Sequence, residues 1–192
     1  MTKALDEQLE LLASRDWRLQ RAAGDALAAA GETGREAVVH ALGHPSSRIR
    51  RYAADFFDHN GDDRCVPQLR RLLHDPVPVV RWQALHSLSC QRCKPNPLTV
   101  DLVPDLIEAL GDSSPRVRAT AAAILGLQPG DPRAVEALHS LLEGEAHPKV
   151  RRFAHQALRL QDPSYRAETD RRARKRQSAR SANAARGRAA RA

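Results

Sequence analysis

The residues best suited to holding a metal or carrying a nucleophile are three cysteines and eight histidines. Cys90 and Cys93 form a CxxC within SCQRCKPNPLTVD, and Cys65 lies upstream of them. Closely spaced thiolates can share one tetrahedral ion, so Cys65, Cys90 and Cys93 are a candidate zinc set, with His59 or His86 as the fourth ligand. The competing reading is reduced cysteines in a loop and at a core edge. An odd cysteine count in a chain whose start, MTKALDEQLELLASRD, lacks the pattern of an export signal argues against a disulfide framework. No βαβ pattern surrounds the CxxC, as a redox motif would require. The other conspicuous side chain is Trp82, in HDPVPVVRWQAL, where prolines, an acidic residue and an arginine crowd around a large aromatic.

These residues must be positioned by helices. The chain is rich in Ala, Leu and Arg, it is poor in aromatics, and no β-branched runs of the kind that build sheets occur. Five segments fall into register: RLQRAAGDAL, RIRRYAADFF, VVRWQALHSL, RVRATAAAIL and KVRRFAHQAL. Their apolar anchors are Leu19, Ile49, Val80, Val117 and Val150, spaced 30, 31, 37 and 33 residues apart. Alanine stands four residues after each anchor, and Leu or Phe eight after, which places all three on one helical face. Other amphipathic stretches lie between: EQLELLA, EAVVHAL, VPQLRRLL, LVPDLIEAL and AVEALHSLL. Each unit is two short helices joined by a turn, and such a period marks an α-solenoid. The 37-residue spacing is caused by the CxxC insertion at the end of the third unit. Antiparallel pairing brings that end close to Cys65, at the start of the same unit's first helix.

Arginine follows four of the anchors, at Arg50, Arg81, Arg118 and Arg151; unit one has Gln20 there. Six residues before each arginine stands His44, Asp75, Asp112 or Glu145. This predicts a ladder of hydrogen bonds that pin each turn to the helix after it.

Segments such as GDSSPRVRATAAAILG and HDPVPVVRWQALHSL resemble HEAT repeats, specifically the short type also found in phycobilisome bilin lyases. The resemblance covers about residues 5–163. It implies an all-α, right-handed α-α superhelix of about five helical pairs, with the second helices lining a concave face. On those helices the positions before and two after the anchor would then form a basic stripe. It comprises Arg18, Arg21, Arg48, Arg51, Arg116, Lys149 and Arg152, centred on Trp82. Such a stripe suits phosphates or an acidic peptide, with the indole as a stacking platform or anchor. A solvated helix face with no ligand is the plain alternative, and Asp25 and Asp55 interrupt the stripe.

The chain has 192 residues and a net charge of +8. Residues 166–192 hold ten Lys/Arg against Glu168 and Asp170, so residues 1–165 balance to zero. The excess lies in RRARKRQSARSANAARGRAARA, which includes Arg171, Arg172, Arg174, Lys175 and Arg176. Low complexity and the lack of large apolar residues predict a disordered arm over 164–192 beyond a solenoid of 1–163. A basic arm has affinity for any polyanion by counterion release.

No His is followed by Glu, which excludes the iron-binding pairs of the HEAT-like deoxyhypusine hydroxylases. No Ser/His/Asp set, phosphate loop or paired-carboxylate site stands out. The sequence thus reads as a monomeric, non-catalytic scaffold or adaptor for an acidic protein segment or nucleic acid. It reads as cytoplasmic, or nuclear or nucleoid-associated through its tail, with no membrane span. The rival readings are an enzyme resembling the HEAT-like DNA glycosylases, for which Trp82 with Asp55 or Asp25 is the only echo, and a bilin-lyase-like protein acting on chromoproteins.

Overall fold

The computed structural model describes residues 3–90, 93, 94 and 98–189, with side chains given as far as residue 181. The extreme ends of the expected domains, the centre of the CxxC and residues 95–97 of the insertion lie outside the described residues.

The described residues form paired helices. Unit one is α1 (Lys3–Leu12) and α2 (Trp17–Ala29), and unit two is α3 (Gly31–Ala41) and α4 (Ser47–Asn60). A short 3-10 turn at Asp63–Cys65 leads into unit three, α5 (Val66–Leu72) and α6 (Pro78–Ser89). Unit four is α7 (Val103–Ala109) and α8 (Pro115–Leu125), and unit five is α9 (Pro132–Gly144) and α10 (Pro148–Gln161). A last helix, α11, spans Pro163–Ala189. Prolines open α6, α8, α9 and α10, because the first turn has no internal partner for the missing N–H. Asp16 and Asp131 cap α2 and α9 by accepting from the backbone N–H of Arg18 and Arg133.

Packing follows the repeat. Ala23, Ala53, Ala84, Ala121 and Ala154 are buried, as are Leu27, Phe57, Leu88, Leu125 and Leu158. The alanines let neighbouring backbones approach, and the larger residues fill the space between the helix layers. Helices α4, α6, α8 and α10 lie side by side, whereas their first-helix partners touch one another far less. The second-helix layer is thus the inner, concave one.

One anchor departs from the pattern. Leu19 is 46% exposed, because α2 packs on α1 and α3 and swings away from α4. The gap is a cleft of about 620 Å³ bordered by Trp17, Arg21, Asp25, Asp55 and Phe56. The first unit also has Gln20 where the later units carry the turn arginine.

The turn arginines do more than pin their own turns. Arg50, Arg81, Arg118 and Arg151 each donate through Nη1 to the carbonyl six residues back, at 2.8–2.9 Å. The side chain six residues back is not the partner. The rest of each guanidinium reaches forward to the carboxylate of the next unit's turn. Arg50 forks onto Asp75 (2.6 and 3.0 Å), Arg81 onto Asp112 (2.7 and 2.7 Å) and Arg118 onto Glu145 (2.6 and 3.1 Å). Each carboxylate also accepts from the backbone N–H two residues on, at Val77, Ser114 and His147, which shapes its turn. Arg151, with no later unit to reach, donates to the Leu142 and Glu145 carbonyls.

The C-terminal segment, expected to be disordered from residue 164, is helical. Ala and Arg are among the strongest helix formers, which accounts for the conformation. Its first two turns are docked: Tyr165 stacks on His155 and meets His139 edge-on, and Arg159 donates to Thr169 and Asp170. The packed body therefore reaches Asp170. From residue 171 to 181 every side chain is exposed.

The forks should dominate stability. Arg81→Ala and Asp112→Ala should each cost about 2–3 kcal/mol in urea melts, since each strands a half-buried charge. The double variant should fall at least about 1 kcal/mol short of additivity. A larger coupling for Asp112 with Arg118 than with Arg81 would show that the units are not joined this way.

The same acids set the response to pH. Burial alone would raise the pKa of Asp75 and Asp112, but the Arg50 and Arg81 forks hold both below the ordinary carboxylate value. Arg118 does the same for Glu145. A folded-state pKa below the unfolded one gives stability that is present above the unfolded value and lost as pH falls through the folded one. The urea midpoint should thus decline from about pH 5 downward, and Asp75→Asn with Asp112→Asn should flatten that slope.

Candidate functional site

Two constellations occur on the second-helix layer. The first surrounds Trp82, one turn into α6. Its ring is half-buried: Nε1–H donates to Thr120 Oγ1 on α8 (3.1 Å), and the Arg116 guanidinium lies 3.6 Å over the ring centroid. One turn along α6, His86 stacks at 5.8 Å with an interplanar angle of 15°. The indole is thus held in place, and a base stacking on its covered face would have to displace Arg116. Beside it, between α6, α8 and α10, a groove of about 310 Å³ is bordered by Trp82, His86, Arg116, Thr120, Lys149 and Phe153. No carboxylate lines it.

The rest of the basic stripe is divided. Arg18 lies over the exposed Trp17, and Arg21 makes a long 4.0 Å pair with Asp25. Arg48 donates to the Ala13 carbonyl, tying α4 to the end of α1, and Arg48 and Arg51 flank Tyr52. Arg152 lies beside Phe153. Arg116 and Lys149 share the groove with Trp82, but Arg18, Arg21, Arg48 and Arg51 belong to the other end of the layer. Trp82 and the Asp25/Asp55 pair line separate clefts, which leaves the glycosylase echo without geometry. The tail cations Arg171, Arg174, Lys175 and Arg176 are exposed on α11; Arg172 pairs with Glu168.

The second constellation lies at the ends of α4 and α6. Asp58, His86, Cys90 and Cys93 each place one ligand atom within 4.8 Å of all the others. His86 Nε2 is 3.3 Å from Asp58 Oδ2, and the Cys90 and Cys93 sulfurs are 2.9 Å apart, a hydrogen-bond distance and not a disulfide. Of the expected ligands, His86, Cys90 and Cys93 converge. Cys65 does not: its thiol donates to the Asp62 carbonyl, and burial raises its pKa. His59 lies at the rim, with Nδ1 3.3 Å from the Cys93 carbonyl oxygen. In place of Cys65 and His59 stands Asp58, which sequence reasoning missed. The repeat held a signal: nine residues after the anchors come Ala28, Asp58, Ser89, Gly126 and Arg159, and Asp58 is the sole carboxylate at this inward position.

Electrostatics couple the cluster. Burial opposes ionisation of Asp58, but hydrogen bonds from His86 and Cys93 and the nearby Lys94 hold its pKa below the ordinary value. The Asp58 carboxylate in turn raises the pKa of His86. The hydrogen bond with Cys90, then burial and Asp58, push the Cys93 thiol up to about 12. Cys93 is therefore a thiol and not a nucleophilic thiolate at neutral pH.

A family model described as HEAT repeats matches residues 5–89 and 103–168, which leaves out the CxxC insertion and most of α11. The chain belongs to the HEAT-repeat family. No curated protein matches it. Among solved structures this HEAT protein is similar to a chain of the complex of CpcE and CpcF, the phycocyanin lyase of Nostoc sp. PCC7120. That match has 17% identity and a TM-score of 0.63, and it covers 80% of this chain and 97% of that one. An engineered protein matches at 21% identity and a TM-score of 0.51, covering 83% of this chain and 79% of that one. At these identities the likeness shows the fold. Among the described residues no helix is long and apolar enough to cross a membrane.

The locked indole makes a stability prediction. Trp82→Phe should cost about 1 kcal/mol, because Thr120 loses its donor. Trp82→Ala should cost about 2–3 kcal/mol through lost packing and the lost Arg116 contact. Thermal melts unchanged by Trp82→Ala would refute this packing role.

Proposed function

We propose that the chain is a protein-binding HEAT module whose groove between α6, α8 and α10 takes an acidic segment of a partner protein. The observation that carries this reading is the groove's chemistry. It joins aromatic walls at Trp82 and Phe153 to the cations Arg116 and Lys149, with no acidic residue in its lining. The packed body carries no excess of positive charge, so the cations gathered here are a local feature that suits a carboxylate-bearing segment with an apolar anchor. The exposed cations Arg171, Arg174, Lys175 and Arg176 of α11 add affinity for polyanions of either kind, nucleic acid or acidic protein.

A second reading is favoured by the structural likeness. The match spans nearly all of a phycocyanin-lyase chain seen in complex with a second protein, which supports a lyase-like role on a chromoprotein, exercised with a partner subunit. Both readings require the chain to hold a protein.

The test is a pull-down with the chain cut after Asp170, which removes nine Lys/Arg and keeps the Arg159 contacts. Nuclease-treated extract should still yield a protein partner, and Arg116→Glu with Lys149→Glu should lower its recovery at least about tenfold. Capture that vanishes with nuclease, or that ignores both substitutions, would overturn the groove reading. Bilin attachment to phycocyanin subunits on co-expression would establish the lyase-like one.

A further inference from the structure

We propose that Asp58, His86, Cys90 and Cys93 form a structural zinc site that fastens the insertion after α6 to the end of α4. The inference is independent of the groove and of any partner.

The donor set suits zinc by number and kind. Two sulfurs, one imidazole nitrogen and one carboxylate oxygen make four ligands of the types that zinc accepts, two of them in a Cys-x2-Cys spacing. Bond lengths of about 2.0–2.3 Å put neighbouring ligand atoms roughly 3.3–3.8 Å apart in a tetrahedron. The four atoms here already lie within 4.8 Å of one another. The 2.9 Å between the two sulfurs must open by somewhat under about 1 Å, a movement that the loop bearing Cys93 can supply.

Asp58 gives the independent sign. Its side chain is 5% exposed, yet Oδ1 has no hydrogen-bond partner. A buried carboxylate oxygen left without a donor is costly, and a metal bond would satisfy it. The nearest cation, Lys94 Nζ, stops 3.8 Å away, too far for a hydrogen bond, and donates to the Cys90 carbonyl.

Lys94 supplies counter-charge to the cluster, as the partner of Asp58 in the metal-free chain. Its side chain is 0% exposed, a rare condition for lysine. A zinc ion with two thiolates and a carboxylate carries a net charge of −1. A buried ammonium beside it neutralises the assembly. Binding would release the two thiol protons to solvent, as zinc–cysteine sites do. The His86 ring is already oriented by its stack against Trp82.

The elements joined are informative. Asp58 comes from α4, His86 from α6, Cys90 from the cap of α6 and Cys93 from the insertion. That insertion is the one long interruption of the repeat period; Leu98 in the core and Thr99 on Asp63 hold its far end, and zinc would hold its near end.

The test uses the full chain, purified in reductant without chelator. Metal analysis should find about one zinc per chain. Cobalt(II) loading should give the visible bands of a tetrahedral site and thiolate-to-cobalt charge transfer. Zinc should raise the melting temperature of the metal-free chain. Cys93→Ser, in the loop and therefore least harmful to folding, should abolish the charge-transfer band from one thiolate and weaken zinc affinity at least about a hundredfold. Asp58→Asn should weaken it as well, and Cys65→Ser should leave stoichiometry and spectrum unchanged. The site is overturned if the reduced chain takes up no zinc or cobalt on titration. It is overturned equally if Cys90 and Cys93 form a disulfide that added zinc does not prevent, or if Cys65→Ser releases the metal as fully as Cys93→Ser.

Discussion

An arginine one turn into each of α4, α6 and α8 ties that helix to the unit after it. Its guanidinium has donors enough for two tasks, so one side chain closes its own turn through a backbone carbonyl and grips the carboxylate of the next turn. That carboxylate has acceptor capacity for two partners and uses it, taking the fork from behind and its own turn's N–H from within. Lysine would not substitute, because a point charge cannot make the paired, planar contact and the backbone bond together. The hydrophobic repeat gives layers that could slide along one another; the forks fix the register.

Once register is fixed, the second-helix positions become addresses on a surface. Trp82, Thr120 and Phe153 come from three successive units, and only a constant offset between units lets one indole bond to a hydroxyl on the next helix while lining a groove with a phenyl on the one after. The thiol cluster depends on the same offset, since Asp58 and His86 meet at the ends of adjacent second helices. The second-helix layer thus carries two neighbouring places that share His86, one lined by cations and aromatics, the other rich in ligand atoms.

Much of this was legible in the residues. The anchor, the alanine four later and the large residue eight later gave the helices, their pairing and the core, because a helix shows its buried face as a periodicity. Charged partners were harder. Asp112 stands six residues before Arg118 and in the turn after Arg81, and both relations fit the sequence equally; only the rise between units decides for Arg81. Asp58 was hidden because a single acidic residue beside a histidine looks like a solvated helix end until α6 is laid against it. The start of α11 was harder to read, because its docking rests on Tyr165 meeting His155 and Arg159 meeting Thr169, each across ten residues, whereas the side chains of residues 171–181 are exposed as their low-complexity composition implies.

The swing of α2 away from α4 has a consequence for how the molecule comes apart. In a quasi-linear array, each unit is protected in proportion to the interface it shares with its neighbours. α2 makes its main contacts with α1 and α3 and leaves Trp17 and Leu19 in water, so its opening exposes Ala23 and Leu27 but less apolar surface than the opening of a helix flanked on both sides. Its backbone amides therefore report local fraying, whereas those of α6 and α8, enclosed on both sides, report the unfolding of the whole.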